Sequence, residues 1–194
     1  MNARQAPAGR TAAEPSRRRL FFALWPEASA NPALAAAVRL LKPTLSARWI
    51  RPQNLHITLA FLGEVEAGRL QAAKTAADAA HAEGFELALD QIEWWRKPQI
   101  LCLTPSAACP ALERLAAGLA AQLQTEGFKL DKRPFRAHLS LARDAACPPG
   151  QSQLEQAVAW RSSAFALVES RQDGRGSCYT TIQSWPLSPA AGQG

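Results

Sequence analysis

Apolar and polar positions along the chain switch between two periods. Alternation marks strands, and apolar residues three or four apart mark helices. Residues 19–25 are a short, apolar, aromatic-rich strand stopped by Pro26. Asn31-Pro32 supplies a cap and a first helical position, and Leu34, Val38 and Leu41 recur at helical spacing over 33–42 until Pro43. Residues 54–63 run as a strand towards Gly63, with Phe61 and Gly63 reading as strand end and turn. The same signals predict helices over 67–83 and 110–126, closed by Gly84 and Gly127, and a short helix within 150–160. Further strands are predicted over 85–92 (continuing to Trp94-Trp95), 99–104, 137–143, 164–169 and 178–182.

Two of these strands carry the same polar interruption. In His56-Ile57-Thr58-Leu59 the imidazole and the hydroxyl share one face, while Leu55, Ile57 and Leu59 share the other. His138-Leu139-Ser140-Leu141 repeats the pattern. The elements around each histidine also recur in order: strand, Pro stop, Pro-Ala-Leu helix start, histidine strand, and a returning strand opened by Phe85 or Phe165. Repeat 1 covers about 20–92 and repeat 2 about 99–182. The duplication predicts two lobes related by a pseudo-two-fold, with the histidines meeting across one cleft.

Composition narrows the class. With 194 residues, 47% hydrophobic and 20% charged, the chain fits one globular domain, expected over 19–187. No apolar run reaches the roughly 18 residues that span a bilayer, and no secretory segment opens the chain, so a cytoplasmic protein without a membrane partner is expected. Cys102, Cys109, Cys147 and Cys178 match no zinc spacing and read as small buried or semi-buried thiols. The net charge of +6 is concentrated at the start, where Arg4, Arg10, Arg17, Arg18 and Arg19 face only Glu14. The charge is therefore mostly a property of the N-terminus, and a weak pointer to nucleic acid. Residues 1–18 read as a disordered basic leader and 188–194 as a loose tail.

Two histidines in equivalent places fit acid–base chemistry. An imidazole titrates near ~6.5, so one ring can take a proton while the other gives one. Phosphodiester cleavage needs this division, with nucleophile and leaving group in line across phosphorus. Thr58 and Ser140 could donate to non-bridging oxygens. Arg136 shares the face of His138 by alternation and is the better direct anion contact, with Arg143 at the strand end or groove rim. A metal site is the competing chemistry, but no Asp or Glu lies within four residues before either histidine. His81 reads as structural. The six tryptophans read mostly as core or lobe interface, with one or two available to stack a base.

The two tetrads resemble those of the two-histidine phosphoesterase superfamily. Their contexts, Trp49-Ile50-Arg51-Pro52-Gln53-Asn54-Leu55 before His56, Phe61-Leu62-Gly63-Glu64-Val65 after it, and Pro134-Phe135-Arg136-Ala137 before His138, are similar to the RNA 2′,3′-cyclic phosphodiesterase / 2′-5′ RNA ligase family. The resemblance implies a bilobal α+β fold with two antiparallel-rich sheets, outer helices and a central groove. It implies hydrolysis of an RNA or nucleoside 2′,3′-cyclic phosphate to a 2′-phosphate with no cofactor or metal, and in some members 2′-5′ ligation. His56 would be the proton donor and His138 the acceptor, with Thr58, Ser140, Arg136 and Arg143 on the substrate. Ser140 stands where Thr is usual. The expected partner is RNA with a cyclic phosphate end, or a cyclic nucleotide, bound by a monomer. A non-catalytic RNA-end binding module using the same groove is the alternative.

Overall fold

Alternation resolves into strands β1 (Arg17–Leu24), β2 (Arg48–Trp49), β3 (Ile57–Glu66), β4 (Phe85–Trp95), β5 (Ile100–Thr104), β6 (Leu139–Arg143), β7 (Gln153–Ser162), β8 (Ala164–Gln172) and β9 (Ser177–Pro186). The apolar stripes become helices α1 (Asn31–Leu41), α2 (Leu70–Asp78) and α3 (Pro110–Thr125). These elements come from a computed structural model that describes residues 17–174 and 176–189.

The strands form one hydrogen-bonded sheet in the order β7-β4-β5-β6-β3-β1-β8-β9, with β2 added to β6. Every strand pair is antiparallel. The sheet is two antiparallel halves, β7-β4-β5-β6 and β3-β1-β8-β9. They join where β3 meets β6, through the single residue pair Ile57 and Leu139. This is the bilobal α+β architecture expected, its two sheets continuous at one seam. The returning strands cross over: β4 follows the first histidine strand but pairs β5 and β7, and β8 pairs β1.

The main core lies on the sheet face that carries the helices. Leu34, Ala37 and Leu41 of α1, Ala73, Ala76 and Ala77 of α2, and Leu112, Leu115, Leu119 and Leu123 of α3 are buried there. A second, smaller cluster forms on the opposite face from Phe21, Ala23, Ala166 and Val168, with Trp25 and Tyr179 packed against it. This is why β1 reads as an unbroken apolar run rather than an alternating one. Leu20, Phe22 and Leu24 enter the main core, and Phe21 and Ala23 enter the second cluster.

Several expectations are corrected. Residues 150–160 hold no helix: β7 buries Leu154, Val158, Trp160 and Ser162 while it pairs with β4. The second helix is only Leu70–Asp78, and Gly84 donates its N–H to the Ser188 carbonyl at 2.8 Å instead of closing a helix. Gly63 is not a turn. β3 continues past it to Glu66, and Gly63, at φ 70°, sits at a bulge against Leu20 and Phe21. Arg17 and Arg18, assigned to the leader, are the first residues of β1, opposite Glu66 and Val65; residues 1–16 lie outside the described residues. Ser188, placed in the tail, forms a parallel bridge with Glu83, and residues 190–194 lie outside the described residues. Cys102 is buried, whereas Cys147 and Cys178 are exposed.

Candidate active site

Each histidine stands one residue before its strand, β3 for His56 and β6 for His138. The seam pair Ile57 and Leu139 is fully buried towards the main core. In the antiparallel register His56 then lies across from Ser140, and Thr58 across from His138. All four project to the face opposite the main core. Two tetrads far apart in sequence thus become one crossed cluster.

The imidazoles are oriented by the same backbone device. His56 Nδ1 lies 2.7 Å from the Asn54 carbonyl, and His138 Nδ1 lies 2.8 Å from the Arg136 carbonyl. A carbonyl only accepts, so each Nδ1 carries the proton and each Nε2 is left for chemistry. His56 Nε2 is 3.0 Å from Thr58 Oγ1. A short 3-10 turn over Pro52–Asn54 presents the first carbonyl, and the Asn54 side-chain amide anchors it by donating to the Ser177 carbonyl at 2.7 Å.

The surroundings differ. His56 sits among Phe21, Trp25 and Tyr179, with ring centroids 4.9, 5.5 and 5.4 Å away. Burial there, with repulsion from His138 and Arg143, outweighs the Asn54 hydrogen bond and lowers its pKa to about 4. His138 packs on Trp95 at 4.6 Å. Burial lowers its pKa also; the Arg136 carbonyl and the Glu93 carboxylate oppose the shift, and the charges of Arg136 and Arg143 reinforce it. Thr58 and Ser140 are half-buried on the shared face.

The two arginines differ in their surroundings. The Arg136 guanidinium, expected as the direct anion contact, donates to Glu93 Oε1 at 2.6 Å and stacks over Trp95 at 5.3 Å. Arg143, expected at the rim, is the arginine whose charge reaches both imidazoles. Glu93 accepts further hydrogen bonds from Trp95 Nε1 at 2.8 Å and Thr104 Oγ1 at 2.9 Å. Burial pushes its carboxyl up, but these donors and Arg136 outweigh it and hold the group below the usual range.

Sequence reading missed Glu93, Asn54, Phe21 and Tyr179 as neighbours of the histidines, and assigned Trp25 and Trp95 mostly to packing. Strand alternation places Phe21 on the face opposite Leu20 and Phe22, so that one signal was present. Among the described residues, no group of three His, Cys, Asp or Glu side chains could hold a metal ion. None of the described helices is long and apolar enough to cross a membrane.

A family model described as LigT like phosphoesterase matches residues 24–102 and again residues 103–179. The chain belongs to the LigT-like phosphoesterases. Among these phosphoesterases, an RNA 2′,3′-cyclic phosphodiesterase of Escherichia coli (strain K12) is 31% identical over 175 residues, 88% of this chain and 97% of its own length. One from Thermus thermophilus is 27% identical over 183 residues, covering 87% of this chain and 90% of its own. A crystal structure of a phosphoesterase superposes with a TM-score of 0.82 at 29% identity, covering 88% of this chain and 98% of that one. The E. coli LigT complex with 3′-AMP superposes with a TM-score of 0.78 at 31% identity, over the same shares of the two chains.

Proposed function

We propose that this phosphoesterase hydrolyses the 2′,3′-cyclic phosphate of RNA ends or nucleosides to a 2′-phosphate. The observation that carries the reading is the crossed cluster at the β3–β6 seam, which sets two Nε2 atoms and two hydroxyls on one face. Relatives at 27–32% identity bear the name RNA 2′,3′-cyclic phosphodiesterase, which supports the same chemistry.

In the proposed reaction His138 Nε2 takes a proton from water as its oxygen attacks phosphorus. The P–O3′ bond breaks, and His56 Nε2–H delivers a proton to O3′, leaving the phosphate on O2′. Thr58 and Ser140 hydroxyls donate to the non-bridging oxygens, and Arg143 faces their charge. The environments favour this division of roles. A protonated His56 among aromatic rings, with no carboxylate among the described residues raising its pKa, is a strong acid. His138 has Glu93 nearby, whose charge favours the imidazolium that forms when it accepts a proton. An anionic phosphate in the groove raises both pKa values, which supplies the protonated His56 that the step needs. A 5′-hydroxyl in place of water would give the 2′-5′ linkage by the same proton movements. Both histidines come from one chain, so a monomer suffices.

The test is a panel of nucleoside 2′,3′-cyclic phosphates and short RNAs with cyclic ends, read by phosphorus NMR with and without EDTA. A 2′-phosphate product at an unchanged rate in EDTA is expected. A 3′-phosphate product would reverse the bond assignment, and tight binding with no product over hours would favour a binding module.

A further inference from the structure

The two imidazoles share a backbone device but not its anchor. At His56 the accepting carbonyl is tied down by the Asn54 amide, and the ring is flanked by Phe21, Trp25 and Tyr179. At His138 both supports lead to one carboxylate. Glu93 Oε1 accepts from Arg136, the residue whose carbonyl receives His138 Nδ1–H. Glu93 Oε2 accepts from the indole of Trp95, the residue whose ring packs on His138. Thr104 Oγ1 donates to Oε1 and fixes the carboxylate itself.

We propose that Glu93 is the positioning residue of His138, holding the imidazole through the tilted Trp95 ring packed against it and through Arg136 at its Nδ1. It is not a catalytic residue, because its hydrogen bonds run to Trp95, Thr104 and Arg136, and it acts on the reaction through His138. The inference rests on the reading of His138 as the proton acceptor. A carboxylate that accepts three donors is locked in place, and a group held through a locked partner keeps its geometry when substrate arrives. The carboxylate also offsets Arg136, whose charge alone would oppose proton uptake by His138. The other charges facing this imidazole are Arg143 on its own strand and His56 across the seam. The Cys102 thiol beneath is pushed up to about 12, by burial and then by Glu93, and stays neutral.

Glu93→Gln tests this. The variant keeps the side-chain volume and a carbonyl that can accept from Arg136 and Thr104, but it removes the charge and turns an N–H group towards the Trp95 indole. The expected result is a fall in kcat of about tenfold or more, by analogy with losing the outer hydrogen-bond partner of a metal-ligating histidine, with KM changed less than about threefold. In proton–nitrogen NMR the His138 titration moves to lower pH while that of His56 stays in place. Trp95→Phe keeps the ring, loses the tether, and should lower kcat in the same direction by less, which secures the test if Glu93→Gln folds poorly. A Glu93→Gln protein with wild-type kcat and an unmoved His138 titration would overturn the proposal. So would equal displacement of the His56 and His138 titrations. The NMR titration is independent of turnover, so it reads Glu93 even if the cyclic phosphodiesterase reading fails.

Discussion

At the scale of single residues, the two histidines are chemically unequal although their backbone settings match. In the proposed mechanism loss of either ring removes one proton transfer, so His56→Ala and His138→Ala should each lower kcat by about 10²–10⁴-fold, with circular dichroism and melting temperature near wild type. Near-full turnover in either variant would sink the acid–base assignment. The pH profile carries a second prediction. The proposed mechanism needs His56 protonated and His138 neutral in the free enzyme, and both pKa values lie below 6.5, that of His56 at about 4. The product of the two fractions peaks midway between them. Hence kcat/KM, which reports the free enzyme, should be maximal below pH 6.5 and fall as pH rises and His56 loses its proton. The optimum of kcat should lie higher, because the bound phosphate anion raises both values. Initial rates between pH 4 and 8.5 decide this, and a kcat/KM maximum at pH 7.5 or above would contradict it.

At the scale of elements, the seam between β3 and β6 does two jobs. Its one pair, Ile57 and Leu139, plugs the main core and sets the register that crosses the tetrads. Leu139→Ala should cost about 2–5 kcal/mol in denaturant melts. Activity, measured where the variant is still folded, should fall as well, because the register beside His138 and Thr58 loosens. The bulge in β3 gives a cleaner case. Gly63 has φ 70°, and an added Cβ would meet only Phe61 at an ordinary 3.8 Å. Gly63→Ala should therefore cost about 1–2 kcal/mol from backbone strain alone, with catalysis unchanged. Wild-type stability in that variant would show that the bulge is not held as described.

At the scale of the whole molecule, the halves exchange strands. β4 comes from the first stretch of chain and lies in the half built on β5 and β6, while β8 and β9 complete the half built on β1 and β3. A chain of residues 20–92 alone would leave β1 without β8 and β4 without β5 or β7, exposing unpaired edges and apolar faces. It should be unfolded or aggregated, as judged by circular dichroism and dye binding. So should residues 99–182 alone. Independent folding of either piece would show that the exchanged strands are not needed.

The sequence by itself determined the local elements and the paired motif. Period-two stretches, helix caps and Pro stops are nearest-neighbour effects, and the recurrence of His-x-Thr or His-x-Ser on one strand face is legible without knowing what lies opposite. The same local logic misassigned 150–160, where β7 is a strand because β4 is there to pair with it, and it took Gly63 for a turn because a bulge is defined only by the partner strand. Tertiary structure decided the site's chemistry. The seam register brings His56 and His138 together, the second apolar cluster buries His56 and lowers its pKa, and Glu93 arrives beside His138 from a strand more than forty residues away. Burial and Coulomb energy depend on distance in space, and these distances are set by strand pairing between segments that share no local signal.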